Sequence, residues 1–212
     1  IAISWIEPTD QALFDAIDSL EENDILISDT DFLELFNAWM LSICDTSTAI
    51  GHTILDKIRS EVRKNYNGYG LEKDWSFSKN IHEIMGWNKN SEEALIWKRI
   101  LSETFLDSAQ QNNGKLYVDL SRIKPRYHET HIWYQCDQCS EHTPYLLKKR
   151  CPCCGSYRVH AMTELDYKAL DFWREPIANA LQGNPIFVMD TEEHTAQLSH
   201  KDQRDELWSR TE

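Results

Sequence analysis

Apolar residues in the first half of the chain recur at the spacing of α-helices, with polar residues between them. Behind Pro8 and Thr9, one face of the first predicted helix carries Leu13, Phe14, Ile17 and Leu20. A denser apolar stretch over residues 32–43 predicts a second, more deeply buried helix, and Ser28 and Asp31 resemble a capping box at its start. These patterns predict that the chain opens with packed helices.

The helical pattern continues to about residue 113. Residues 48–64 predict a third helix, and a short helix is expected around residues 81–85. Another begins at Ser91, where Glu92 and Glu93 favour a helix N-terminus, and its apolar face comprises Leu95, Ile96, Ile100, Leu101 and Phe105. We interpret the aromatic residues of this half as core residues and not as a ligand site.

From residue 116 the period of the pattern changes to two. Residues 116–120 alternate and predict a strand with Leu116, Val118 and Leu120 on one face. Further short strands are expected over residues 132–134 and 157–162. A helix predicted over residues 164–173 precedes Pro176, which either kinks it or begins a second helix.

The end of the chain has the pattern of an α/β unit. After a turn at residues 183–185, the short apolar run at 186–189 is typical of a buried parallel strand, and a charged amphipathic helix begins at Ser199. Strand, loop and helix in this order form a βα unit. The last 27 residues are therefore predicted to be the first piece of an α/β domain.

Five of the six cysteines lie between residues 136 and 154. Cys136 and Cys139 form one CxxC pair. Cys151 and Cys154 form a second after eleven intervening residues. A two-residue spacer lets both thiolates of a pair reach one metal ion, and Gly155 supplies the positive φ that closes the second turn. The sequence predicts a zinc site with these four ligands.

Cys153, the fifth cysteine of this group, is not assigned as a ligand, because a CxC pair with Cys151 would bind one metal ion with poorer geometry. A disulfide or unrelated buried thiols are the alternative interpretations, but nothing in the sequence suggests secretion. Four protein ligands leave no position open for water, so the predicted Zn²⁺ is structural. Such a module is expected to fold only with its metal.

The net charge of −13 argues against a general nucleic-acid-binding surface. Between residues 121 and 160, however, there are seven basic and three acidic residues, so this segment carries +4 and the remainder −17. The locally basic zinc module is therefore a candidate patch for DNA phosphates, with Lys148, Lys149 and Arg150 of its basic loop meeting the backbone. An ordinary solvated face is the alternative.

The remaining composition indicates a globular protein. A hydrophobic content of 41% is ample for a core, no apolar run is long enough to span a membrane, and the start lacks a signal peptide. We expect a cytoplasmic chain with no membrane partner, and the free thiols of Cys44 and Cys153 fit a reducing compartment. Because it begins with Ile1 and stops inside a predicted helix, we also expect an internal fragment of a longer polypeptide.

Residues 192–210, EEHTAQLSHKDQRDELWSR, follow the predicted strand closely. This order resembles the opening of the second RecA-like domain in large superfamily-2 DExH-box DNA helicases, a group that includes mitomycin-repair helicases and helicase-like proteins of phage defence systems such as Druantia and DISARM. Such relatives also carry a strand, a CxxC pair, a basic loop and CPxCG upstream, as does the segment from Trp133 to Gly155. The resemblance covers residues 116–212 and does not explain residues 1–113.

The resemblance implies a DNA-facing loop at residues 193–198. His194, Thr195 and Gln197 would contact phosphate or backbone there, and a polar loop that touches nothing is the alternative. ATP and Mg²⁺ would belong to the parent protein only, because this chain has no GxxxxGK[ST] loop, DExH tetrapeptide or arginine-finger motif. The HETH segment at His128 also lacks the HExxH spacing of a zinc protease.

The sequence thus predicts an α+β chain in three parts. These are a helical accessory region over 1–114, a four-cysteine zinc ribbon with flanking strands over 115–162, and a helical linker with the start of a RecA-like domain over 163–212. We expect a non-catalytic segment of an ATP-dependent DNA helicase or translocase, whose partners are DNA and other parts of the same polypeptide. The ribbon would brace the motor domains or guide DNA. The alternative is an acidic zinc-ribbon adaptor that binds a protein partner.

Overall fold

The computed structural model of the chain describes residues 2–47, 49, 70–88, 91–108, 114–128 and 130–184. The third predicted helix lies outside these residues apart from position 49. The strand predicted at 186–189, the loop at 193–198 and the helix from Ser199 lie outside them too. Residues Ile1–Arg174 form one unit of the chain and Glu175–Glu212 form a second.

Apart from a strand near its start, the described part of the first half is mainly helical, and the helices begin at polar caps. The helices are α1 (Asp10–Glu21), α2 (Asp29–Ser47), α3 (Lys79–Met85) and α4 (Glu92–Phe105). Thr9, Ser78 and Ser91 each accept a hydrogen bond of 3.3 Å from the backbone N–H three residues later. At α2, Ser28 Oγ accepts from the Asp31 N–H and donates to its carboxylate. The predicted starts of α2 and α4 are confirmed.

An aromatic cluster fills the space between these helices. Its fully buried members are Phe32, Phe36, Trp39, Trp97 and Phe105. The ring centroids of Phe36 and Phe105 lie 4.9 Å apart, and those of Phe32 and Trp97 lie 5.5 Å apart, in the tilted geometry that aromatic pairs favour. The interpretation of these rings as core residues is confirmed.

Two residues predicted to be buried are exposed. Phe14 is 66% exposed and Leu95 is 53% exposed. Helix α1 instead buries Ala12, Ala16 and Leu20, and it packs against α4. Because small side chains let two helix backbones approach closely, the buried face of α1 is centred on the alanines, and Phe14 lies on the outer side.

The chain also forms two small antiparallel sheets, the first of which joins distant segments. Strand β1 (Ser4–Pro8) pairs with β4 (Ile123–Tyr127), and β2 (Leu106–Ser108) pairs with β3 (Leu116–Val118). The strand predicted over residues 116–120 ends at Val118, and Leu120 is 47% exposed. Tyr117 and Val118 are both fully buried, because the core covers β3 on both sides instead of alternating with solvent.

A third antiparallel sheet surrounds the cysteines. It has the strand order β6 (His142–Thr143), β5 (Tyr134–Cys136), β7 (Val159–Ala161). Strands β5 and β7 lie close to the predicted segments at 132–134 and 157–162. We call residues 134–161, from β5 to β7, the cysteine module. The described chain is therefore α+β, with helices and small antiparallel sheets.

The helical segment after the cysteine module is divided in two. Helix α5 (Glu164–Lys168) ends before Leu170, and α6 (Asp171–Leu181) contains Pro176 in its interior. The prediction of one helix over residues 164–173 is wrong, and the second helix begins at Asp171 and not at Pro176. The break at Leu170 lets both Tyr167 and Leu170 pack against the small cluster of Ala2, Trp133 and Met162. Among the described helices, none has the length and apolar character to cross a membrane.

Candidate metal centre

The four cysteines of the two CxxC pairs come together in space. Their sulfur atoms all lie within 4.8 Å of one another. The Sγ atoms of Cys136 and Cys154 are 3.6 Å apart, and those of Cys139 and Cys151 are 3.7 Å apart. A tetrahedral zinc ion with bonds of about 2.3 Å requires S···S separations of about 3.8 Å. The four side chains therefore fit a closed site for a metal ion.

Both CxxC pairs are held by the same kind of turn. The N–H of Ser140 donates to the Cys136 carbonyl, and the N–H of Gly155 donates to the Cys151 carbonyl, each at 2.9 Å. Ser140 has φ +61° and Gly155 has φ +74°, so both turns close through the left-handed region. The positive φ predicted at Gly155 is confirmed. In the first turn a serine occupies the corresponding position.

Backbone donors act on the sulfur of Cys136. Burial would raise the pKa of this thiol, but hydrogen bonds from the N–H groups of Cys139 and Gln138 lower it to about 7. The N–H of Gln138 lies 3.4 Å from the sulfur. Because such donors favour the charged form, the first turn stabilises the thiolate that metal binding requires. Burial raises the pKa of the Cys151 thiol instead.

Cys153 is not a member of the four-sulfur cluster, and its side chain is exposed. Its backbone carbonyl accepts a hydrogen bond from the side-chain amide of Asn80 in helix α3. The second CxxC turn is therefore linked to the helical part of the chain through the backbone of the residue that does not belong to the cluster.

Further contacts attach the cysteine module to helix α2. The Asn37 amide donates to the Thr143 hydroxyl at 3.0 Å, and both residues are buried. The carboxylate of Glu34 accepts a hydrogen bond of 2.9 Å from the Lys148 N–H. Leu147 is 2% exposed and belongs to the main hydrophobic core. The module and the helices therefore share one core, and the metal centre lies at its edge.

The predicted basic loop forms a tight turn whose three cations point to different surroundings. Lys148 and Lys149 have φ values of +48° and +64°, and Leu147 and Arg150 exchange two backbone hydrogen bonds of 3.0 Å across the turn. This is the pattern of a hairpin turn in which both central residues are left-handed, a conformation that favours Asn and Gly. Two lysines there leave backbone strain in the loop.

Only one of these cations lines a large open cleft. Lys149 lies at the rim of that cleft, and Lys148 lines a smaller pocket together with acidic residues that include Glu34 and Glu93. The guanidinium of Arg150 is held within the module: its Nε donates to the Gly155 carbonyl at 2.6 Å, and its centre lies 4.6 Å from the Tyr157 ring centroid. The structure therefore does not bring the three cations together as one patch.

The other predicted DNA contacts, His194, Thr195 and Gln197, lie outside the described residues. Sequence reasoning also missed a group of polar residues centred on Glu7, which comes from a strand that the helical pattern did not predict. The sequence feature that could have indicated this strand is the alternation of Ile3, Trp5 and Glu7 before Pro8. Because one of the three alternating residues is a glutamate, the apolar pattern is too short to predict a strand.

The fold and the centre define an α+β protein whose four clustered cysteines could hold a metal ion. The chain is similar to Druantia protein DruE of Escherichia coli, with 35% identity over 96 residues, which are 42% of this chain and 5% of DruE. It is also similar to a methionine–tRNA ligase of Bacillus mycoides and to methionine–tRNA ligase 2 of Bacillus cereus. Each is 29% identical over 136 residues, which are 61% of this chain and 25% of the ligase.

The chain thus spans a small part of each of these relatives. No family model and no solved structure matches it. The similarity to DruE supports the Druantia part of the resemblance.

Proposed function

We propose that this chain is a non-catalytic segment of an ATP-dependent DNA helicase or translocase of the phage-defence type, and that its cysteine module is a zinc ribbon that braces the motor. The observation that carries this proposal is the cluster of four sulfur atoms within 4.8 Å of one another. The similarity to DruE supports the class of parent protein. ATP and Mg²⁺ would bind elsewhere in that parent.

The bracing role rests on the way the module is attached. Its loops contact two helices: Asn37 of α2 bonds to Thr143, and Asn80 of α3 bonds to the carbonyl of Cys153. A metal that holds the two CxxC turns together would therefore also hold α3, through the second turn, and α2, through strand β6. A closed site with four thiolates suits this structural role, because it has no position left for a substrate or for water.

The proposed contact with DNA is through phosphates and is independent of sequence. Of the three basic-loop cations, Lys149 is the one with both an exposed side chain and an open cleft beside it. Binding should weaken as salt rises, because each neutralised phosphate releases counterions.

A titration of fluorescent single-stranded DNA with the zinc-loaded chain at several salt concentrations tests this role. Lys149→Glu should lower the affinity severalfold and reduce the salt dependence by the equivalent of about one phosphate contact. Lys148→Glu is the matched control, because it makes the same charge change one residue away, among acidic neighbours. Equal affinities for the native chain and for the chain with all three basic-loop cations reversed would remove this loop from the DNA path.

The acidic adaptor remains the second candidate, and two observations favour it. The chain carries a net charge of −13, and Leu165 and Phe172 expose 76% and 60% of their surfaces. Weak, salt-insensitive DNA binding together with a stoichiometric protein partner would favour the adaptor.

Because two of the similar proteins are tRNA ligases by name, unlabelled tRNA is included as a competitor in the DNA titration. Strong preference for tRNA over DNA would contradict a DNA motor segment.

A further inference from the structure

A cleft of about 750 Å³ opens at the cysteine module, which contributes Tyr134, Tyr145 and Lys149 to its wall. It is bounded by β1, by the first turn of α2, by the segment that follows β4, and by residues 144–149. Its volume falls within the range of sites for small ligands and is large enough for a nucleotide. None of the four clustered cysteines lines this cleft.

Aromatic rings form much of its wall. The rings of Trp5 and His131 are stacked, with centroids 4.2 Å apart and an angle of 28° between their planes. Tyr145 meets His131 edge to face at 5.5 Å, and Tyr134 also lines the cleft. All four residues are only partly buried, so their rings contribute accessible surface to the wall.

A buried carboxylate holds two of these rings in place. Glu7 is 7% exposed, and its Oε1 accepts hydrogen bonds from the Trp5 indole at 2.7 Å and the Tyr145 hydroxyl at 2.6 Å. Its Oε2 accepts from Arg126 Nε at 2.8 Å. Burial would raise the pKa of Glu7, but these donors lower it, so the network is built around the charged carboxylate. The indole N–H of Trp5 and the hydroxyl of Tyr145 are therefore both bonded to Glu7. These two residues present ring surface to the cleft.

A hydrogen bond to a different acceptor orients the ring of His131. Its Nε2 lies 3.0 Å from the carbonyl oxygen of Pro144, which can only accept, so this nitrogen carries the proton. The stacked pair is therefore a rigid platform, because each ring is fixed by a hydrogen bond at its edge. Rigid rings of this kind lose little conformational freedom when a flat ligand stacks on them.

The charges at the rim favour an anionic group beside that platform. Lys149 supplies positive charge, and so does the half-exposed Arg126, whose Nε is held by Glu7. The charge of Glu7 is met by Arg126 and two further donors. Among the described lining residues, Glu34 is the other acid; burial raises its pKa, and it already accepts the Lys148 N–H. The strained turn at Lys148 and Lys149 sets the position of the rim lysine.

We infer that this cleft binds one base of a single-stranded nucleic acid, stacked on the aromatic wall, with the neighbouring phosphate at Lys149 and Arg126. Stacking is tolerant of sequence because every base has a π face, and cations beside aromatic rings are the usual composition of single-strand sites. The inference rests on the proposed DNA role and adds to it the form of the substrate, a strand with unpaired bases.

The test compares two labelled strands on the zinc-loaded chain: a short oligothymidine, and an abasic strand of the same length with the same phosphates. We expect the oligothymidine to bind about tenfold more tightly, the effect of stacking a single base. His131→Ala should remove this preference, and His131→Phe, which keeps a ring at the same place, should restore it. Phe14→Ala is the matched control, because it truncates an exposed aromatic residue of α1.

The possible failures are distinguishable. Equal binding of both strands would overturn the cleft inference and leave phosphate binding intact, whereas absence of binding to either strand at low salt would overturn the DNA role itself. A preference for bases that survives His131→Ala would place base recognition elsewhere. If the alanine variant does not fold, His131→Leu against His131→Phe makes the same comparison with the volume of the side chain retained.

Discussion

Two turns with the same hydrogen bond have different residues at their left-handed position. Gly155 and Ser140 occupy equivalent positions behind the two CxxC pairs, and both have positive φ. Glycine adopts this conformation without a steric cost, whereas a residue with a β-carbon loses about 1 kcal/mol there. A β-carbon on Gly155 would have no atom closer than 3.5 Å, so conformation and not space decides the effect of a substitution.

Ser140→Gly is therefore expected to stabilise the zinc-loaded chain by about 0.5 to 1 kcal/mol, and Gly155→Ser to destabilise it by a similar amount. Urea unfolding at a fixed zinc concentration measures both. The two variants are matched controls for each other, because each exchanges the same two residues in the same kind of turn. Changes of the same sign in both variants would contradict the backbone explanation.

At the scale of secondary structure, the links between the cysteine module and helix α2 include one buried side-chain pair. The amide of Asn37 donates to the Thr143 hydroxyl, and this hydroxyl in turn donates to the Tyr145 carbonyl at 2.8 Å. A buried amide that loses its acceptor pays a desolvation cost of about 1 to 3 kcal/mol. Strand β6 and helix α2 are therefore coupled through side chains that no local pattern connects.

A double-mutant cycle tests this coupling. Thr143→Val should cost about 1 to 3 kcal/mol because it leaves the Asn37 amide unpaired, and adding Asn37→Leu should recover part of that loss. The measured quantity is the free energy of unfolding of the native chain, the two single variants and the double variant. Strictly additive effects would show that the two residues do not interact.

Periodicity and caps were sufficient to predict most of the described helices, because the pattern of an amphipathic helix is local. The starts at Ser28 and Ser91 were predicted from the residue types that satisfy free N–H groups. Strands β1 and β4 were not predicted: each contains a proline, and their register, such as Ile6 opposite Pro125, pairs residues more than a hundred positions apart. Only the assembled fold supplies that information.

The same contrast holds for the candidate sites. The four clustered cysteines were predicted from spacing, because the two-residue spacer of each pair is itself the geometric requirement of the metal. The cleft was not predicted, because Trp5, His131 and Tyr145 come from three separate segments and none of them lies in a motif. The basic loop was predicted as one patch, but the fold directs Lys148, Lys149 and Arg150 into different surroundings.

At the scale of the whole molecule, the residues Ile1–Arg174 are joined by contacts between early and late segments. Strand β1 pairs with β4, and the side chain of Arg174 lies 3.3 Å from the carbonyl of Ala2. The cysteine module comes late in the sequence, yet Leu147 lies in the core built by the first helices. A metal bound to the module is therefore expected to stabilise the helical part as well as its own turns.

We expect zinc bound to Cys136, Cys139, Cys151 and Cys154 to hold the module and the helices together. Hydrogen exchange of the zinc-loaded and chelator-treated chain, measured by mass spectrometry after the zinc content is determined, tests it most directly. We predict one zinc ion per chain, retained by Cys153→Ser and lost in Cys151→Ser. We also predict that its removal accelerates exchange in residues 134–161 and in the part of α2 around Asn37. A chain that binds no zinc would contradict this structural role of the metal. Faster exchange confined to the two CxxC turns would contradict the coupling between the metal and the helices.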